Sequence, residues 1–147
     1  MEQRLSMVSL GVADLTRAIT FYREVIGWTP FPGPEGIAFF DLGGLVFALY
    51  PHEAMAKEWQ RSDEKRDGAV SSGFALAHNV GSKAEVDAIF TRLGERDATI
   101  LKAPEEVFWG GYSGYFSDPD GHPWEVAYNP FWEIQADGRI SMGEPPA

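Results

Sequence analysis

The chain has 147 residues, no cysteine and a formal net charge of −10. A chain of this length is expected to form one domain with a proper core. The lack of cysteine excludes disulfides, thiolate metal ligands and a cysteine nucleophile, and it is typical of a cytoplasmic protein. The acidic charge argues against nucleic acid and anionic membranes as partners, since both need a cationic surface. No apolar run approaches the roughly 20 residues of a membrane helix, so we expect no membrane span.

The first half of the chain has the pattern of a strand, a helix and three further strands. Residues 5–12 alternate as a strand, and Asp14 can cap a helix with apolar residues every three or four positions. Gly27 is the expected end of that helix, because glycine readily takes the left-handed conformation found there. Strands are then expected at residues 28–31, 37–42 and 45–50.

The second half repeats this order. Residues 72–80 predict a strand, and Ser82 with Glu85 forms a capping box at the start of a helix. Gly94 is the expected end of this second helix. Strands are then expected at residues 98–101, 112–117 and 124–129.

These two copies indicate one domain over residues 1–147. Module one covers residues 4–51, and module two covers residues 72–130. The charged segment 52–71 is a connector that opens with a short helix, and residues 131–147 are a C-terminal tail. Each module has the order βαβββ, so the chain is predicted to be an α+β protein.

The clearest turn lies at residues 118–121, with the sequence Asp-Pro-Asp-Gly. Proline pre-sets φ at the first central position and glycine closes the turn, which predicts a hairpin between two strands. In the second strand the bulky residues Trp124, Val126 and Tyr128 alternate with Glu125 and its smaller neighbours. A sheet covered by helices on one side sends its bulky apolar residues there, so we expect Glu125 to line a ligand cavity on the other side.

Residues 12–22, V-A-D-L-T-R-A-I-T-F-Y, and residues 118–125, D-P-D-G-H-P-W-E, resemble two motifs of the vicinal oxygen chelate superfamily. This superfamily includes glyoxalases, bleomycin-resistance proteins and extradiol dioxygenases. The resemblance implies two βαβββ modules that form a curved mixed sheet, a half-open barrel with the helices on its outer face. It specifies the fold more closely than the function, since this scaffold hosts several reactions as well as drug binding.

The resemblance also implies four metal-ligand positions on inward-facing strands. By motif they fall on Met7, on Phe47 or the neighbouring Ala48, on Phe74 and on Glu125. Only Glu125 has a ligand-type side chain, and one carboxylate does not hold a divalent metal, because such sites need about three protein ligands. We therefore predict that no metal cofactor is held at these positions.

His78 is the main argument for a relocated site. If residues 74, 76 and 78 share one face of a strand, His78 points the same way as Phe74 and could approach Glu125. This pair could hold a divalent ion weakly, or it could act as acid and base without a metal. The remaining alternative is that His78 is a hydrogen-bonded residue that lines the cavity or caps the helix that follows it.

Aromatic residues concentrate near the end of the second module. Trp109 lies in a loop before two glycines, where it could form a movable apolar wall over a ligand. His52 and His122 are expected to face solvent. The predicted ligand-binding residues are Met7, Phe47, Phe74, His78, Trp109, Tyr112, Tyr115, Glu125 and Asn129.

The leading functional hypothesis is a metal-independent, small-molecule-binding member of the glyoxalase and bleomycin-resistance group. Its ligand would be a small organic molecule of cationic or aromatic character. The alternative is a lyase, isomerase or dioxygenase of the same superfamily with Glu125 and His78 as catalytic residues, and a structural subunit with a filled cavity is a third hypothesis. The family habit of sharing sites between subunits predicts a homodimer.

Overall fold

The computed structural model of the chain describes residues 6–58 and 74–141. The chain divides into two compact units, Met1–Ser72 and Gly73–Ala147. The described elements of the first unit are β1 (Met7–Val12), α1 (Leu15–Phe21), which continues as a π-helical segment (Tyr22–Ile26), β2 (Ala38–Asp41), β3 (Val46–Pro51) and α2 (His52–Glu58).

The sheet of the first unit has the order β1-β3-β2, with β1 parallel and β2 antiparallel to β3. Asp14 begins α1 as predicted, because its carboxylate accepts a hydrogen bond from the backbone N–H of Arg17 at 2.9 Å. Gly27 ends the helical segment with a φ of 88°, a left-handed conformation that costs glycine nothing.

An aromatic core lies between α1 and one face of this sheet. The ring of Tyr22 is 5.9 Å from Phe40 and 5.0 Å from Phe47, and these two phenylalanines are direct cross-strand neighbours. Trp28 also stacks on Tyr22, at 5.8 Å. Each such pair adds about 0.5–1.5 kcal/mol beyond its buried area, so the cluster fixes the helix against the sheet.

The described elements of the second unit are β4 (Leu76–Val80), α3 (Lys83–Glu95), β5 (Thr99–Glu106), β6 (Tyr112–Ser117), β7 (Pro123–Tyr128), β8 (Glu133–Ile134) and β9 (Ile140–Ser141). The main sheet has the order β4-β7-β6-β5, with β4 parallel to β7 and the other pairs antiparallel. The strands β8 and β9 pair as a separate small hairpin. The predicted α+β class is therefore confirmed, with a three-stranded and a four-stranded mixed sheet.

Several predicted boundaries are wrong. The helix α3 runs through Gly94 to Glu95, and the left-handed residue that follows it is Asp97, with a φ of 55°. A glycine inside a helix costs only about 1 kcal/mol, which the buried Leu93 offsets in the last turn. Residues 28–31, which lie in the described part of the chain, form no strand there, and only an isolated bridge joins Phe31 to Phe39.

The strand β5 is twice as long as predicted, because it continues through residues expected to form a loop. Its pairing with β6 shifts register between Ile100 and Lys102 and again between Lys102 and Glu105. These bulges accommodate Pro104, and proline is tolerated at such irregularities and on edge strands, where a missing N–H is harmless. Within the described residues, none of the helices is both long and apolar enough to cross a membrane.

Candidate functional site

Gly114 identifies the side of the second sheet that α3 covers. A Cβ atom built on Gly114 would lie 2.6 Å from the ring of Phe90, which belongs to α3. Gly114 pairs with Val126, so Val126 faces the helix too, and Glu125 points to the other side because neighbouring residues alternate along a strand. Glu125 thus lies on the sheet face away from the packed helix, and its role as a lining residue of a ligand cavity stays a prediction.

We call this opposite surface the Glu125 face; its central residues are Ser113, Tyr115, Glu125 and Ala127. Tyr115 and Glu125 are direct cross-strand partners, as are Ser113 and Ala127. Ser113 and Ala127 are buried, at 1% and 4% exposure, whereas Tyr115 and Glu125 keep part of their surface exposed. The face therefore has two small buried residues beside two larger groups that solvent can reach.

Tyr115 and Glu125 lie side by side as cross-strand partners. The pKa of Tyr115 is raised above its ordinary value by burial first, and then by the negative charge and the hydrogen-bond acceptor of the nearby Glu125. Tyr115 is therefore a neutral donor at physiological pH. The carboxylate of Glu125 offers hydrogen-bond acceptors beside this donor.

The expectation that His78 shares a face with Glu125 is wrong. The register of β4 with β7 pairs Ala77 with Glu125 and His78 with Val126, so His78 lies on the face that α3 covers. Neighbouring atoms lower the pKa of His78 below its ordinary value by desolvation, although the residue as a whole is exposed. Within this unit His78 and Glu125 project from opposite sides of the sheet and do not form an acid and base pair.

Tyr112 also lies on the α3 side, and not on the Glu125 face. Its hydroxyl donates to the carboxylate of Asp87 in α3 at 2.8 Å, and this bond is the largest cause of the raised pKa of Tyr112. Lys83 lies 5.9 Å from the centre of the same ring and forms an ion pair with Glu106. These contacts connect α3 to the strands β5 and β6 near the loop between them.

In the first unit, Met7 and Phe47 lie on opposite faces of the sheet. Phe47 is 1% exposed and belongs to the aromatic core under α1, so its predicted role as a lining residue is wrong. The alternative position, Ala48, shares its sheet face with Ser9 and Met7. Met7 is 49% exposed at the start of β1.

Phe74 and Asn129 lie at the two ends of the paired strands β4 and β7. Phe74 is 42% exposed and precedes the first residue of β4. Asn129 follows β7, and its side-chain oxygen accepts a hydrogen bond from the backbone N–H of Phe131 at 2.9 Å. Asn129 therefore closes the turn after the strand.

His122 was expected to face solvent, but its ring contacts a buried carboxylate. Its ring nitrogen Nδ1 lies 2.8 Å from the carboxylate of Asp118, whose side chain is fully buried. The same carboxylate accepts hydrogen bonds from the backbone N–H groups of Asp120 and His122. This network holds the hairpin that joins β6 to β7, and thereby fixes the register that brings Tyr115 beside Glu125.

The four positions that the family uses for a metal do not fit a divalent ion in this chain. Met7 offers a thioether, Ala48 a methyl group and Phe74 an aromatic ring, none of which is a donor for a hard or borderline ion. Across residues 6–58 and 74–141, no group of three or more histidine, cysteine, aspartate or glutamate side chains is placed to hold a metal. Glu125 remains as a carboxylate whose partner is a tyrosine.

Comparison with known proteins places these observations in context. Residues 4–126 match the family model described as the Glyoxalase/Bleomycin resistance protein/Dioxygenase superfamily. The metallothiol transferase FosB of Shouchella clausii is 30% identical over 123 residues, covering 83% of this chain and 77% of the relative. The glutathione transferase FosA of Serratia marcescens is 30% identical over 128 residues, covering 86% and 81%. A glyoxalase-related enzyme from Fulvimarina pelagi has a crystal structure that superposes with a TM-score of 0.84 at 34% identity, covering 95% of this chain and 98% of that chain.

Proposed function

Since this chain belongs to the glyoxalase/bleomycin resistance protein/dioxygenase superfamily, we propose that it binds a small organic molecule on the Glu125 face without a metal ion. The observation that carries this proposal is that Glu125 and its cross-strand partner Tyr115 face away from α3 and keep part of their surface exposed. A partly exposed carboxylate can accept a hydrogen bond from a ligand, and the neighbouring tyrosine hydroxyl can donate one.

The charge of the protein favours a cationic ligand. The chain carries a formal charge of −10, which attracts small cations and repels anions over a distance of about 8–10 Å at physiological ionic strength. An ammonium group that donates to Glu125 would form a charge-assisted hydrogen bond, which is about twice as strong as a neutral one. We therefore propose a protonated amine or a similar cation as the group that Glu125 recognises.

Glu125→Gln tests this proposal, because it keeps the shape of the side chain and removes its charge. We expect it to weaken the binding of n-hexylamine, a protonated amine at neutral pH, by about 10-fold or more, since a hydrogen bond to a charged group contributes roughly 1.5–3 kcal/mol. Titration calorimetry or NMR chemical-shift titration measures the affinity, and a thermal melt verifies that the variant is folded.

Glu95→Gln is the matched control, because Glu95 is an exposed residue of α3 and its loss changes the net charge equally. This control should bind hexylamine within about twofold of the wild type, since distant exposed charges are screened. Equal weakening by both substitutions would show that only the overall charge matters, and would overturn the assignment of the site to Glu125.

An enzyme is the second candidate, and the names of the relatives favour it. Two of them are transferases, and a lactoylglutathione lyase from Agrobacterium tumefaciens shares the fold with a TM-score of 0.66 at 27% identity, covering 87% of this chain and 95% of that chain. On the Glu125 face the carboxylate of Glu125 would be the proton acceptor, with Tyr115 beside it on the neighbouring strand. His78 cannot assist Glu125 directly, because it lies on the other face of the sheet.

Metal analysis separates the two candidates. We expect protein purified without chelator to carry no stoichiometric divalent metal and to melt at the same temperature after chelator treatment, because a bound ion would stabilise the folded state by mass action. About one equivalent of zinc, manganese, iron or nickel per chain would instead support the enzyme.

Two further parts of the proposal concern the state of the protein in the cell. We propose a homodimer, because β1, β2, β4 and β5 are edge strands of their own sheets and edge strands gain by pairing. Light scattering at micromolar concentration tests this, and a monomer would contradict it. A cytoplasmic location is proposed on the lack of cysteine alone.

A further inference from the structure

We infer that His52 and Met55 form a binding site for a soft monovalent metal ion, copper(I) or its redox-inert analogue silver(I). The two donors are the ring nitrogen Nδ1 of His52 and the thioether sulfur Sδ of Met55, both carried by α2. This site goes beyond the proposed function, because it belongs to the first unit and uses no residue of the Glu125 face.

The surroundings of Gly11 show that the two donor atoms are close together. A Cβ atom built on Gly11 would lie 2.5 Å from Nδ1 of His52 and 3.4 Å from Sδ of Met55. Two atoms at these distances from one point are at most about 6 Å apart. An ion bonded to a nitrogen and a sulfur at about 2.0–2.3 Å each holds them up to roughly 4 Å apart. Methionine has three rotatable bonds, so a small adjustment of Met55 completes this geometry.

The spacing of the two residues along the chain places them on one face of α2. Residues three positions apart in a helix are surface neighbours, with about 5–6 Å between their Cβ atoms. Helices use the same spacing for paired metal ligands in metal-binding bundles. His52 is exposed, whereas Met55 is only 7% exposed. An ion from solvent therefore reaches the imidazole first and is then partly shielded at the sulfur.

Gly11 is the position in β1 that allows this arrangement. Its neighbours Leu10 and Val12 are buried, and alternation along the strand opens Gly11 on the sheet face opposite to theirs. A larger side chain at position 11 would occupy the place of the imidazole edge. The backbone of β1 thus supports both donors from below, and ligands that are held in place before the ion arrives lose little entropy on binding it.

The donor set selects the class of ion. Thioether sulfur is a soft ligand that favours copper(I), and imidazole also binds copper. A divalent ion such as zinc needs about three protein ligands, which this pair does not supply. Copper(I) and silver(I) are soft ions that accept two or three donors, so His52 and Met55 suffice with one ligand from solution. The formal charge of −10 adds a general attraction for cations.

The test is a titration of the protein with silver nitrate in chloride-free buffer, followed by calorimetry. We expect the wild type to bind one silver ion per chain at micromolar concentration. Met55→Leu and His52→Phe should each weaken this binding by about 10-fold or more, because each removes one of the two donors. Both substitutions keep an apolar group of similar size, and such exchanges usually cost less than about 1.5 kcal/mol in stability.

Met7→Leu and His78→Phe are the matched controls. They remove an exposed thioether and an exposed imidazole that lie outside α2. Each should bind silver within about twofold of the wild type, since distant independent sites do not couple. In wild-type protein with carbon-13 in the methionine methyl groups, NMR should show the Met55 signal shifting up to one equivalent of silver, before the signals of the other methionines.

The inference is wrong if the wild type binds no silver at micromolar concentration, or if folded Met55→Leu keeps the wild-type affinity. Equal weakening by Met7→Leu and Met55→Leu would show adventitious binding to any thioether, and would also overturn it. Should Met55→Leu fail to fold, as judged by circular dichroism, the order of the methyl shifts in the wild type decides. The proposed function is judged by hexylamine and Glu125 alone, so the two proposals fail separately.

Discussion

Gly114→Ala would place a methyl group where β6 passes under α3. The added carbon would lie 2.6 Å from Cζ of Phe90, 2.9 Å from the carbonyl oxygen of Lys102 and 2.9 Å from the backbone nitrogen of Pro104. The phenylalanine ring can rotate or shift. The two backbone atoms belong to β5, which is hydrogen-bonded to β6, so relieving those contacts requires the strands to separate.

The cost can be estimated from these contacts. Overpacking a close contact costs about 1–3 kcal/mol, and the backbone obstruction at Gly114 favours the upper part of this range. Replacing glycine by alanine also restricts the unfolded chain, which returns roughly 0.4–1 kcal/mol. We expect a net loss of about 2 kcal/mol in the free energy of unfolding. With a urea dependence of about 1–3 kcal/mol per molar, the midpoint of unfolding should fall by roughly 1 M.

Urea unfolding followed by circular dichroism measures this effect, with Gly94→Ala as the control. That substitution lies inside α3 and meets nothing, so it should keep or raise the midpoint, by up to about 1 kcal/mol in stability. When Phe90 is already alanine, adding Gly114→Ala should still lower the midpoint, although by less than in the wild type, because the two backbone contacts remain. A Gly114→Ala protein as stable as the wild type would mean that Gly114 does not face α3, and the assignment of Glu125 to the opposite face would lose its basis.

Two further predictions concern Tyr115 beside Glu125 and the hairpin that joins β6 to β7. Carbon-13 NMR of the tyrosine rings should find that Tyr115 titrates above the ordinary value of 10.0, and that Glu125→Gln lowers this pKa; an unchanged pKa would contradict the contact. Because the folded-state pKa is raised, the contribution of Tyr115 to stability is present below the unfolded value near 10 and is lost as the pH rises through the folded value. Asp118→Ala should destabilise the protein by about 2–4 kcal/mol, because it leaves three hydrogen-bond donors of the hairpin without their acceptor. His122→Ala should cost clearly less, since both backbone N–H groups keep their acceptor, and equal losses in urea unfolding would refute this account.

Features that depend on local chemistry were predictable from the sequence. Asp14 caps α1, and Ser82 accepts a hydrogen bond from the backbone N–H of Glu85 at the start of α3, as capping rules require. The hairpin at residues 118–121 has Gly121 at a φ of 85°, and the alternation after it places Glu125 correctly. Each of these features is determined by residues a few positions apart, so neighbouring sequence carries the information.

Features that depend on pairing between distant strands were not predictable in the same way. The side of the sheet on which His78 lies does not follow from the position of Phe74, because β4 begins only at Leu76 and its register pairs His78 with Val126. Phe47 was misplaced by one position, since its neighbour Ala48 shares the face of Met7. A shift of one residue reverses every side chain of a strand, so motif alignment that is uncertain by one residue cannot assign a face. The face of Tyr112 was predictable from the sequence alone, because strand alternation within β6 places Tyr112 and Tyr115 on opposite faces of the sheet.

Two glycines, Gly114 inside β6 and Gly111 just before it, have an aromatic ring where their side chain would lie. Gly114 and Gly111 are three positions apart, so in extended backbone they open on opposite sides of the sheet. Each accepts an aromatic ring in place of a side chain, Phe90 on the helix side and Trp109 on the other. Phe90 is held by α3, whose residues Val86 and Leu93 are buried, whereas Trp109 is carried by a five-residue loop. Both rings keep part of their surface exposed, so neither glycine is covered by a fully buried ring. In the sequence this arrangement corresponds to two glycines three positions apart at the start of β6, and the rings that take their places come from α3 and from the preceding loop.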